Sequence, residues 1–274
     1  MRLTMSQGFA LAVTPIAHTA LATSARGLEA GEVKISTPRG QIPAYRALPA
    51  GGAQQKWPVL LVVHEIFGVH EHIRDLCRRF AKLGYFAIAP ELFAREGDAS
   101  KYADVKQLLK EVVSRASDAQ VAGDLDAAVA WASTQPHADV EKLGITGFCW
   151  GGRITWLYAS HQPRLKAGVA WYGKLTGERD PLHPKFPLDL VDDLKAPVLG
   201  LYGGKDQGIS LESVEQMKSA LQASKSDAAK RSSLHVYPEA GHAFAADYRP
   251  SYRKVDAEDG FQRMHAWLKS QGVG

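Results

Sequence analysis

Ile145-Thr146-Gly147-Phe148-Cys149-Trp150-Gly151-Gly152-Arg153 is the stretch whose reading decides the fold. Leu143-Gly144-Ile145-Thr146 reads as a strand, and residues from 151 to about 160 read as a helix. Between them lies the form G-x-C-x-G, in which glycines permit a sharp, strained turn that lifts the central residue, Cys149, to the end of the sheet. The helix start behind it would present backbone N–H groups and a positive dipole end to the sulfur, favouring a thiolate. The plainer alternative is a tight glycine turn with a buried thiol. The strand before and the helix after favour a nucleophile.

Outward from this turn, strands and helices alternate. Pro58-Val59-Leu60-Leu61-Val62-Val63 is an uninterrupted apolar run, the pattern of a strand buried on both faces of a parallel sheet. Residues 72–83 predict a helix with Ile73, Leu76, Cys77, Phe80 and Leu83 on one stripe and Gly84 as its stop. A strand is expected over 85–89, closed by Pro90, then helices over 102–113 and 118–133. Beyond the turn come a strand over 167–172, a proline-rich excursion over 176–195 and a strand over 198–202. A helix over 211–223, a strand over 234–237 and a last helix over about 254–269 complete the pattern. Residues 32–36 and 42–47 alternate around Pro38-Arg39-Gly40 as a hairpin. The expectation is an α/β fold: one domain over 31–274, a mostly parallel sheet with helices on both faces, and an amino-terminal arm over 1–30.

Composition narrows the class. The chain has 274 residues, 45% hydrophobic and 23% charged, which excludes collagen-like and low-complexity proteins. Two cysteines make neither a disulfide framework nor a four-thiolate metal site. A net charge of +4 is too small and too dispersed for a nucleic-acid groove. No apolar run reaches the length of a membrane span, so no membrane partner is expected. Residues 8–22, followed by Ala22-Thr23-Ser24-Ala25, outline a secretory signal, but Arg2 is the only charge ahead of them and Pro15 and His18 interrupt them. A cytoplasmic protein with a reduced thiol is the expectation.

A nucleophile needs a base and a group that orients the base. Leu201-Tyr202-Gly203-Gly204-Lys205-Asp206 ends one predicted strand with a carboxylate, and Tyr237-Pro238-Glu239-Ala240-Gly241-His242 ends the next with a histidine. The order Cys149, Asp206, His242 is the nucleophile–acid–histidine order of the α/β-hydrolase fold. Each follows a different strand, where open α/β sheets place their ligands. Taken singly, Asp206 would serve as a helix cap near Ser210 and His242 as a loop histidine. His64 follows a strand beside Glu65, where it would help shape the site. His70 and His72 open a helix without a third ligand, so no metal is assigned to them.

Four separated motifs now carry a resemblance. Val63-His64-Glu65-Ile66-Phe67-Gly68, Ala89-Pro90-Glu91-Leu92-Phe93-Ala94-Arg95, Gly147-Phe148-Cys149-Trp150-Gly151-Gly152 and Gly241-His242-Ala243-Phe244 together resemble the dienelactone hydrolase (carboxymethylenebutenolidase) family, over about residues 31–271. The resemblance implies a triad of Cys149, His242 and Asp206, and a Glu65 that interacts with the thiol and is repositioned by substrate. A carboxylate beside the sulfur disfavours the thiolate at rest. The fold implies an oxyanion hole from the N–H groups of Trp150 and Ile66. Arg95 matches the family's arginine for the substrate carboxylate. The family's second arginine falls where this chain has Ala246, and Arg249, three residues on, is the candidate replacement.

The expected activity is hydrolysis of a small lactone or ester through an acyl-enzyme thioester, with no metal or organic cofactor, by a monomer or homodimer. Two other readings stay open. One is a general carboxylesterase or thioesterase without preference for anionic substrates. The other is a non-catalytic ligand-binding member of the fold.

Overall fold

The computed structural model describes residues 23–52 and 54–274. The secretory-signal outline over 8–22 lies outside them. Eight strands form one sheet: β1 (Leu28–Thr37), β2 (Gly40–Pro49), β3 (Trp57–Val63), β4 (Phe86–Pro90), β5 (Ala138–Phe148), β6 (Leu165–Trp171), β7 (Val198–Gly203) and β8 (Ser233–Tyr237). Their order is β1-β2-β4-β3-β5-β6-β7-β8. β2 pairs antiparallel with both β1 and β4, and every pairing from β4 to β8 is parallel.

The apolar run is the cause of the centre. After its first residue, half-buried Trp57, every residue of β3 is buried, and β3 lies between β4 and β5. Connecting helices cover the sheet. The helix α1 (Glu71–Lys82) follows β3, while α2 (Val105–Glu111) and α3 (Asp118–Ser133) lie between β4 and β5. Next come α4 (Trp150–His161), α5 (Leu211–Ala223), the short α6 (Asp227–Arg231) and α7 (Lys254–Ser270). α1 packs on β2 and β4, α3 on β1, β4 and β5, α4 on β5 and β6, and α7 on β6 and β7. No helix among the described residues is long and apolar enough to cross a membrane.

From β3 the chain crosses to β4 on one side, and from β4 it returns past β3 to β5 and continues the other way. With right-handed crossovers this reversal sends successive helices to opposite faces and opens a crevice beyond the ends of β3 and β5. The loop after β3 and the turn after β5 both open into it.

Two expectations shift at the edges. Strand β1 begins at Leu28, inside the stretch expected to be an arm, and Thr23 already donates its backbone N–H to Asp75 of α1. The helix expected over 102–113 is confined to α2, because the Asp104 carboxylate accepts from the Lys106 and Gln107 N–H groups and fixes the start there.

Candidate active site

The turn after β5 is built on contacts that only glycine permits. A Cβ on Gly147 would lie 2.1 Å from the Gly151 carbonyl oxygen, and one on Gly151 would lie 2.4 Å from that of Val63. The backbone therefore reverses with no room to spare, and Cys149 takes φ 55°, ψ −114°, a conformation that costs a non-glycine residue of order 1–3 kcal/mol. Its N–H donates to the Trp171 carbonyl at 3.0 Å, and Trp150 opens α4 directly behind it.

Asp206, in the turn after β7, is buried. One carboxylate oxygen accepts from the Gly208 N–H at 2.8 Å, and the other accepts from His242 Nδ1 at 2.8 Å. Ser210, not Asp206, caps α5. His242 follows β8, with Ala243 after it at φ 59°. Burial alone would lower the pKa of His242. The adjacent Cys149, as charge and hydrogen-bond partner, and the Asp206 carboxylate outweigh burial and push it well above the ordinary histidine value. Cys149 and Asp206 are thus both partners of the same imidazole.

Glu65, two residues past β3, is 3% exposed. Its Oε2 accepts from the Tyr248 hydroxyl at 3.0 Å and lies 3.7 Å from Arg249 Nη2 and 3.8 Å from His70 Nε2. Burial would raise its pKa, but His70 and Arg249 prevail and hold the carboxylate well below its usual range. Burial in turn drives His70 toward its neutral form against the pull of Glu65.

The two arginines part company. Arg95 makes a two-pronged pair with Asp124 of α3, at 2.7 and 2.8 Å, and donates to Thr37 Oγ1 and the Arg39 carbonyl. Its guanidinium is spent between α3 and the β1–β2 hairpin. Arg249 is buried with its guanidinium over the rings of Tyr248 and Phe67, 4.7 and 5.0 Å from their centres. Its Nε and Nη1 have no hydrogen-bond acceptor among the described residues.

Sequence reasoning passed over Tyr172 and Tyr248. Tyr172 follows β6 at φ 38°, and its ring meets the His242 ring edge-on at 5.2 Å. Its buried hydroxyl lacks a partner among the described residues. Burial, then the charges of Glu65 and Cys149, hold its proton on. Its place at the end of the strand between β5 and β7 was the available signal. Among the described residues no group of three or more His, Cys, Asp or Glu is arranged to hold a metal. An apolar cavity of about 230 Å³ between α3 and α4, lined by Leu125, Ile154, Leu157 and Tyr158 among others, includes none of the residues described above.

A sheet of this order, reversed once and carrying its polar residues on the loops beyond the reversal, has the α/β-hydrolase fold. Within that fold the chain belongs to the dienelactone hydrolase family, whose sequence profile matches residues 42–272. It is 60% identical over 270 residues, 98% of this chain and 91% of the relative, to a protein of Methylorubrum extorquens named "Putative carboxymethylenebutenolidase". An Escherichia coli protein of the same name is 53% identical over 272 residues, 99% of this chain and 98% of the relative. A crystal structure from Klebsiella pneumoniae, described as "Putative Dienelactone Hydrolase", superposes with a TM-score of 0.85 at 55% identity, covering 88% of this chain and 98% of that one. The fold class and the family expected from the motifs are both borne out.

Proposed function

We propose that this protein hydrolyses small lactones or esters through a thioester on Cys149, with a preference for substrates that carry a carboxylate. The observation that carries the reading is the strained Cys149 beside an imidazole that Asp206 orients at 2.8 Å and whose pKa is raised. The Cys149 sulfur attacks the acyl carbon, and the Ile66 and Trp150 N–H groups receive the oxyanion. Collapse breaks the acyl–oxygen bond, and the leaving oxygen takes the proton from His242 Nε2. Water then gives a proton to His242 as its oxygen attacks the thioester, and the sulfur leaves as thiolate. In a lactone the leaving oxygen stays attached, so one hydroxy- or oxo-acid is released.

For the substrate carboxylate, Arg249 is the supported partner and Arg95 is not. Arg249 is buried with two unsatisfied donors beside Glu65, whereas Arg95 is already paired. An anion that drew Arg249 would loosen its hold on Glu65. A second reading, an ester or thioester hydrolase indifferent to substrate charge, is favoured by Ala246 at the position of the family's second arginine.

A panel of cis- and trans-dienelactone against neutral p-nitrophenyl esters tests both. Wild type is expected to turn over the panel, and Cys149→Ala to lose at least 1,000-fold in kcat while folding normally; full activity in that variant overturns the mechanism. Arg249→Met is expected to raise KM about tenfold or more for the anionic substrates alone. Equal losses on neutral esters favour the second reading.

A further inference from the structure

The carbonyl of Glu65 and the N–H of Ile66 belong to one peptide group, and that carbonyl has a buried partner. His64 is completely buried, and its Nδ1 lies 2.6 Å from the Glu65 oxygen. Its Nε2 receives the Leu92 backbone N–H at 3.1 Å. A main-chain N–H can only donate, so Nε2 carries the lone pair. The ring proton therefore sits on Nδ1 and is donated to the Glu65 carbonyl. The Glu91 carboxylate, 3.4 Å from Nε2 through Oε1, is held elsewhere: Oε2 accepts from the Val69 N–H at 2.6 Å and Oε1 from the Phe93 N–H at 3.3 Å.

No peptide bond among the described residues is cis, so the Ile66 N–H points opposite to the carbonyl that His64 holds. A donor on one end of an amide fixes the plane of the group and polarises the N–H at the other end. The same imidazole also lies face to face with Trp150, ring centres 5.5 Å apart and planes 15° apart, while Phe93 closes on His64 at 4.8 Å and on Trp150 at 4.7 Å. None of these contacts is with Cys149, Asp206 or His242.

We infer that His64 is a positioning residue for the oxyanion hole: its Nδ1–H orients and polarises the Glu65–Ile66 peptide, and its ring face seats Trp150, so that one neutral imidazole sets both donors. This rests on the acyl-transfer reading above. It also gives a reason for two motif residues that the triad does not use, since Glu91 and the Leu92 N–H brace the same loop from the segment that follows β4.

Three substitutions separate the possibilities. Gln in place of His64 keeps an acceptor near the Nε2 position but loses the Nδ1 donor. Asn keeps a donor near Nδ1, and Leu matches the shape of Asn without it. The readouts are kcat and KM on p-nitrophenyl acetate, alkylation of Cys149 by iodoacetamide, and thermal melting. Alkylation at a saturated carbon builds no oxyanion, so it reports the thiol and His242 alone. His64→Gln and His64→Leu are expected to lose 10- to 100-fold in kcat with KM within about twofold and alkylation unchanged, and His64→Asn to stay within about fivefold of wild type. If the Gln variant does not fold, the Asn–Leu pair answers the same question. Equal kcat in Asn and Leu variants, or alkylation that slows in step with kcat, overturns the inference. A wild type that is neither alkylated at Cys149 nor hydrolytic overturns instead the reading beneath it.

Discussion

Residue by residue, what the sequence made legible was chemistry tied to a backbone shape. Cys149 stood out as a candidate because glycines at 147, 151 and 152 mark a turn, and His242 and Asp206 because each follows a strand in the right order. The glycines are also the least replaceable part of the site. The Cβ of Gly151→Ala would stand 2.4 and 2.6 Å from the carbonyl oxygens of Val63 and His64, backbone atoms that cannot swing aside. The variant is expected to lose about 2–3 kcal/mol of stability and much of its hydrolase activity, read by thermal denaturation and initial rates. What stayed hidden was partnership. Arg95 and Arg249 are the same residue type on comparable loops, and no local pattern says that Asp124, 29 residues on, will claim the first and leave the second facing Glu65. Tyr172 and Tyr248 escaped for a similar reason, since an aromatic at a strand end or in a loop reads as packing until its hydroxyl is seen among charges.

At the scale of elements, periodicity located the helices well wherever a cap agreed with it. α3 and α5 begin and end where the pattern predicts, each behind a serine whose hydroxyl accepts from the third residue beyond it. β5 was read too short because its first half carries Asp139, Glu141 and Lys142 and shifts register before Gly144. The segment carrying Tyr248 and Arg249 is fastened to α1 through Asp247, which faces Arg79 and lies 3.4 Å from His72. Burial would raise the Asp247 pKa, but His72 and Arg79 prevail and hold it at about 2 against an ordinary 3.8. A carboxyl depressed on folding contributes stability above its unfolded value and loses it as pH falls through the folded one. Asp247→Asn is therefore expected to cost about 1 kcal/mol at pH 7, part of the full linkage being screened by solvent. The difference from wild type should close between about pH 4 and pH 2 in urea denaturation series.

For the molecule as a whole, the reversal in strand order matters most, because it lets two loops from opposite crossovers meet. The hairpin at the sheet edge is locked to this frame by Arg95, which joins Thr37, Arg39 and Asp124. Removing the guanidinium would leave Asp124, 3% exposed, as a buried charge without that partner. Arg95→Ala is expected to lower stability by about 2–3 kcal/mol while leaving KM for anionic and neutral esters alike within about twofold. A rise in KM confined to anionic substrates would return Arg95 to the binding site.

Among the described residues, three with positive φ are not glycine: Cys149 after β5, Tyr172 after β6 and Ala243, beside His242, in the loop after β8. Each is a place where glycine would relieve the backbone. A search for heat-resistant variants that screened only for survival of the fold would be drawn to Cys149 and Ala243, but not to Tyr172, whose buried ring a glycine would replace with a cavity. At those two it would find sturdier proteins with a blunted or absent activity. The same two positions mark where a lineage that had given up catalysis would be free to relax first.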